Sequence, residues 1–107
     1  MYTLCIHYTL DPNRIAHFRT YVEAELQVIR RSGGKVVGYF LPTDFAGPNN
    51  EAYGLIDFPT LARYEEYREA LAADADHKKN AAALERSGAV AAMNRSIVQR
   101  TGDEQSA

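Results

Sequence analysis

The sequence predicts an α+β domain of the ferredoxin-like type, with strands and helices in the order β-α-β-β-α-β and one four-stranded antiparallel sheet. Three observations carry this. Four short segments are rich in β-branched and aromatic residues, two segments between them show apolar residues at helical spacing, and cap or turn residues stand at the junctions. Two βαβ-like halves joined by a hairpin, each with a right-handed crossover, place their helices on a single sheet face. The length of 107 residues allows one such unit. A chain of this size buries roughly two thirds of its unfolded surface, enough for one sheet under one helix layer. The domain is expected over residues 1–100, with a frayed polar tail over 101–107.

The first strand spans 2–10, YTLCIHYTL, with Leu4, Ile6 and Tyr8 on one face and Thr3, Cys5, His7 and Thr9 on the other. Asp11-Pro12 then supplies an N-cap and a proline at the first helical position, where its missing N–H is no loss. Ile15, Phe18, Val22, Leu26 and Ile29 form the apolar stripe of the first helix. Arg14, Arg19, Glu23, Glu25 and Arg30 take the remaining arc. Gly33-Gly34 ends the helix, because a left-handed position follows it. The second strand is expected over 35–42 up to Pro42, a turn-rich loop over 43–50, and the third strand over 52–58. Pro59-Thr60 opens a second helix that carries Leu61, Tyr64, either Tyr67 or Arg68, and Leu71 at helical spacing. The alanine-rich stretch 78–86 reads as a short third helix stopped by Gly88, and 89–99 as the fourth strand.

Composition narrows the classes of function. A net charge of −2 and a pI of 5.9 argue against nucleic-acid binding, which calls for a clustered basic excess. The longest basic runs, Arg30-Arg31 and Lys78-Lys79, are too short for a polybasic membrane-surface segment. No apolar run nears the roughly 18 residues of a membrane span, and the N-terminus begins in strand-like sequence rather than a signal. The single cysteine, Cys5, has no internal partner and suits a reducing compartment, so a cytoplasmic location is expected.

Neither face of the second and third strands is polar. Val37, Tyr39 and Leu41 oppose Val36, Gly38 and Phe40, while Tyr53 and Leu55 oppose Ala52, Gly54 and Ile56. A second cover is needed for the helix-free face, and another copy of the chain supplies it around a two-fold axis. The segments HYTLDP (7–12), GGKVVGYFLP (33–42) and FPTLARYEEYREAL (58–71) resemble the NIPSNAP family, within the dimeric α/β-barrel superfamily, and the resemblance extends over residues 2–100. It implies a homodimer whose two ferredoxin-like sheets form a barrel. It implies no particular reaction, since the wider superfamily runs from cofactor-free oxygenases to haem-degrading enzymes and modules with no known catalysis.

Strand alternation gathers one candidate site on the helix-free face. His7, Tyr39 and Tyr53 are its catalytic candidates, with the histidine accepting a proton and a tyrosine donating to a developing oxyanion. Cys5, Asp57 and Arg95 are the accompanying ligand-binding candidates. The alternative role for the same residues is a hydrogen-bonded dimer seam. No metal site is expected, because His7, His17 and His77 are not spaced as a ligand set. His77 stands roughly where haem-binding relatives carry an axial histidine. The absence of tryptophan departs from the haem-degrading pattern, so no cofactor is expected and His77 reads as a solvated residue. Cys5 lies mid-strand, away from any helix N-terminus that would stabilise a thiolate. Two functions follow: a module that binds a small molecule or a partner, and, as the alternative, a cofactor-independent oxygenase or isomerase acting on a small aromatic or polyketide-like substrate.

Overall fold

The structure, a computed structural model, describes residues 1–102. Strand β1 runs Tyr2–Leu10, β2 Lys35–Phe40, β3 Glu51–Phe58 and β4 Val90–Gln99. Helices α1 (Ile15–Arg31), α2 (Leu61–Ala73) and α3 (Ala75–Ser87) complete the chain, with a 3-10 turn over Pro12–Arg14 ahead of α1. The sheet order β2-β3-β1-β4, antiparallel throughout, makes the fold ferredoxin-like. The tail expected beyond the domain lies, from residue 103 on, outside the described residues.

The caps read from the sequence form. The Asp11 carboxylate accepts from the Asn13 amide at 2.9 Å, and the Thr60 hydroxyl accepts from the Arg63 amide at 3.1 Å. Gly33 and Gly88 take positive φ of 107° and 68°, the left-handed conformation that ends α1 and α3. Helix α3, however, begins at Ala75, three residues before the expected start. The cause is Asp74, whose Oδ1 accepts from the amides of Asp76 and His77 at 2.9 and 3.1 Å. Arg31 at the end of α1 grips Asp74 with two bonds, at 2.9 and 2.8 Å, and Asp76 with a third at 2.8 Å. The guanidinium holds the Asp74 carboxyl down at about 2.

The core lies between the sheet and the helices. From β1, Leu4, Ile6, Tyr8 and Leu10 face Phe18, Val22, Val28 and Ile29 of α1, while Ala52, Ile56 and Phe58 of β3 complete the floor under Tyr67 and Leu71 of α2. Gly34 stays glycine because of close approach: a Cβ there would lie 2.8 Å from side-chain carbons of both Ile29 and Ile56. One charged residue breaks the apolar layer. Glu25, expected on the solvent arc, is 2% exposed. Its spacing of seven from Phe18, three from Val22 and four from Ile29 puts it on the buried stripe whatever its charge.

Candidate functional site

Side-chain direction in a sheet follows pairing, since residues directly opposite on neighbouring strands share a face. His7 opposes Tyr53 on one side and Asn94 on the other, whereas Ile6 opposes Gly54 and Arg95. On β2, a bulge at Val37 shifts the register so that Tyr39 opposes Gly54 and Phe40 opposes Tyr53. The expected single cluster therefore divides. Tyr39 and Arg95 turn toward the helices, while His7, Tyr53, Cys5 and Asp57 stay on the helix-free face.

On that helix-free face, His7 Nε2 donates to Glu51 Oε1 at 2.8 Å, and its ring stacks on Tyr53 with centroids 4.9 Å apart. The partner of His7 is thus Glu51. Asp57, six residues along β3 from Glu51, is buried and accepts from Thr3 Oγ1 at 2.6 Å and from Arg100 Nη2 at 3.0 and 2.8 Å. Cys5 is half-buried as a free thiol.

The main cavity is on the opposite face. It lies between the sheet and all three helices, with a volume of about 350 Å³, in the range of small-molecule sites. Leu4, Ile6, Ile29 and Leu71 supply apolar wall, and Tyr39, Arg68, Arg95 and His77 bring polar groups to it. Met93 and Ile97, on the same face of β4, remain 42% and 40% exposed, so the helix layer stops short of this edge strand. Tyr39 reaches the cavity by lying across Gly54. A Cβ at 54 would stand 2.6 Å from the Tyr39 ring, so glycine there is a condition of that wall. The hydroxyls of Tyr8 and Tyr39 share a hydrogen bond at 3.2 Å. Neither Arg68 nor Arg95 makes an ion pair among the described residues, and their two positive charges share the cavity wall with the carboxylates of Glu25 and Glu85.

Two residues missed by charge-based reading form the most built part of the wall. Glu25 Oε2 accepts from His77 Nδ1 at 2.5 Å and from the Tyr21 hydroxyl at 3.4 Å. Its Oε1 accepts from Asn80 Nδ2 at 3.1 Å. His77 is therefore a partner of a buried carboxylate, not a solvated residue. The helical spacing of Glu25 was the available signal; nothing local marks His77, which is 52 residues away. Among the described residues no three His, Cys, Asp or Glu side chains gather as a metal would require, and no helix is long and apolar enough to cross a membrane.

The cavity tyrosines make the fold sensitive to alkali. Burial pushes the Tyr8, Tyr21 and Tyr39 hydroxyls well above their usual value of 10, and Tyr67 up to about 12. The unfolded chain releases these protons from about pH 10, while the folded chain retains them. Stability is therefore full below pH 10 and falls as pH rises beyond it. In one titration, the phenolate absorbance contributed by these four tyrosines is expected to rise only with the loss of circular dichroism. Ionisation of all seven tyrosines with the fold intact would refute this.

A ferredoxin-like sheet with a partly open, partly polar cavity under its helices places the chain in the class of small α+β proteins of that fold. Within that class, the NIPSNAP family model matches residues 2–103, and the chain belongs to the NIPSNAP family. The structure is similar to a NIPSNAP family protein with unknown function from Agrobacterium tumefaciens, at 24% identity and TM-score 0.78, covering 92% of this chain and 86% of that one. It is similar to a NIPSNAP-like domain protein from Burkholderia xenovorans, at 24% identity and TM-score 0.77, covering 94% and 85%. A protein from Nitrosomonas europaea proposed to be an antibiotic biosynthesis monooxygenase shares the fold at 11% identity and TM-score 0.71, covering 94% and 98%. No curated protein sequence matches the chain.

Proposed function

We propose that this chain is a homodimeric, cytoplasmic binding protein for a small, mostly apolar molecule carrying an acidic hydroxyl or carboxyl group. The observation that carries the reading is the cavity of about 350 Å³, apolar over most of its wall, with Arg68 and Arg95 unpaired at it. Burial of an aromatic ring against Ile6, Ile29 and Leu71 supplies affinity, and the two guanidinium groups select for an anion. The dimer is supported by the helix-free face, where Phe40, Tyr53 and Val98 are 50%, 45% and 47% exposed; a second sheet covers such a patch. The lone thiol of Cys5 supports a reducing compartment.

Calorimetric titration with 4-nitrophenol and benzoate tests the cavity. Saturable binding of at least one is expected, weakened at least tenfold in Ala81→Trp, which places an indole in the cavity from α3. Absence of binding by both, or equal binding by the Trp variant, would overturn the reading. Sedimentation of the wild type and of Phe40→Asp tests the dimer half, with dissociation expected in the variant. A second reading, turnover of the bound molecule without a cofactor, is favoured by one observation: the buried Glu25 carboxylate that holds His77 at the cavity wall.

A further inference from the structure

We propose that His77, oriented by Glu25, is a general base that takes a proton from a phenol or enolisable carbonyl compound bound in the cavity. The proposal rests on the cavity being the binding site and adds the chemistry performed there. Four features of the molecule support it.

The first is where Glu25 sits. Its position on α1 is a core position, between Val22 and Ile29 on the stripe that packs on the sheet, and it is 2% exposed. A carboxylate there is costly to desolvate, and a hydrophobic side chain of similar volume at such a place is often neutral or stabilising. Packing alone gives no reason for the charge.

The second is how completely the carboxylate is satisfied. Both oxygens are engaged, Oε2 by His77 Nδ1 and the Tyr21 hydroxyl, Oε1 by Asn80 Nδ2. Tyr21 and Asn80 both donate to the carboxylate, which suits the ionised form. An ionised Glu25 can only accept, so Nδ1 of His77 carries the hydrogen. In the neutral imidazole that leaves the lone pair on Nε2, the nitrogen with no protein partner, on a ring that lines the cavity.

The third is rigidity. The His77 amide is tied to the Asp74 cap, and Asp74 is itself gripped by Arg31. The imidazole is thus fixed at both its backbone and its Nδ1, the arrangement that pre-organises a base rather than leaving it to find its geometry.

The fourth is what faces the product. Removal of a proton leaves a negative oxygen on the ligand, and the same cavity presents the linked Tyr8 and Tyr39 hydroxyls and the Arg68 and Arg95 guanidinium groups. Burial keeps both tyrosines protonated, and since one hydroxyl donates to the other, the linked pair offers one free O–H donor to an oxyanion and no competing base.

The step balances without a co-reactant. The O–H bond of a phenol, or the α-C–H bond of a carbonyl compound, breaks, and its electron pair remains on the ligand as an oxyanion or enolate. A new N–H bond forms at Nε2, and the imidazolium charge is matched by Glu25, which stays ionised. Return of the proton to a different carbon completes a tautomerisation. His77 is the catalytic residue in this account, and Glu25 is a positioning residue that also stabilises the imidazolium.

The test uses 4-nitrophenol, whose phenolate form is read directly by its visible absorbance. With the wild-type protein in excess, the bound phenol is expected to ionise at least tenfold more readily than the free compound. His77→Asn and Glu25→Gln are expected still to bind it saturably by calorimetry, to unfold cooperatively, and to lose most of that enhancement. A structural role for the pair would lower stability and leave the ionisation of the bound phenol unchanged. Binding without enhanced ionisation in the wild type, or enhancement kept in His77→Asn so that the arginines alone produce it, would overturn the inference while leaving the cavity as a binding site. Absence of 4-nitrophenol binding by the wild type overturns the proposal for phenols, and with absent benzoate binding it overturns the cavity reading too. If Glu25→Gln fails to fold, the decision falls to His77→Asn, whose side chain is one-quarter exposed and carries no packing of the core.

Discussion

Phe18→Ala is expected to lower the unfolding free energy by about 3–5 kcal/mol, the range for deleting a buried aromatic ring. The ring is fully buried and packs edge-on against Tyr8 at 4.8 Å and near Tyr21 at 6.1 Å. Truncation removes the contacts under two tyrosines that line the cavity, and the pleated strand behind them cannot collapse into the space. The loss is a large share of the total for a small domain, about 5–15 kcal/mol. Urea unfolding checks this: the midpoint is expected to fall with an unchanged slope, since the surface exposed on unfolding is nearly the same. A loss below about 1 kcal/mol would mean that the surrounding side chains relax fully into the space. Because Tyr8 and Tyr21 would lose their backing, binding of 4-nitrophenol is expected to weaken in the same variant.

Asp57→Ala is expected to cost about 3 kcal/mol, near the lower end for removing one partner of a buried ion pair. The carboxylate accepts from the Thr3 hydroxyl on β1 and from Arg100 just beyond β4, so one side chain of β3 ties the two strands that follow it in the sheet. The lower end applies because the Arg100 side chain is 32% exposed, so its charge is not fully buried when the carboxylate is gone, whereas the Thr3 hydroxyl is left buried. Differential scanning calorimetry and 4-nitrophenol titration on the same variant separate the two roles considered for this residue. A lowered transition with intact binding makes Asp57 a structural clamp. Intact stability with lost binding would place a ligand on the helix-free face instead.

Residue identity and spacing were enough for the elements and their ends. Asp11, Thr60, Gly33 and Gly88 act through bonds or dihedrals within a few residues, so their effect is legible without knowing the rest of the chain. The order of strands and helices likewise narrows the topology to the ferredoxin-like one, because crossover handedness leaves few alternatives. The family was legible too, since its motifs are short and local.

Tertiary structure decided what the side chains meet. One residue of bulge at Val37 sets which of Tyr39 and Phe40 faces the helices, and a one-residue change of register reverses every side chain beyond it; alternation along a single strand contains no information about that. The same pairing parted His7 from Tyr39 and Arg95, and so moved the cavity from the helix-free face to the helix side. Glu25 was misplaced because its charge outweighed its spacing, and its burial is possible only because His77 and Asn80 arrive from a helix more than fifty residues later. A carboxylate in an apolar stripe is unfavourable until its partners are folded against it, so the site exists only once α3 has docked on α1.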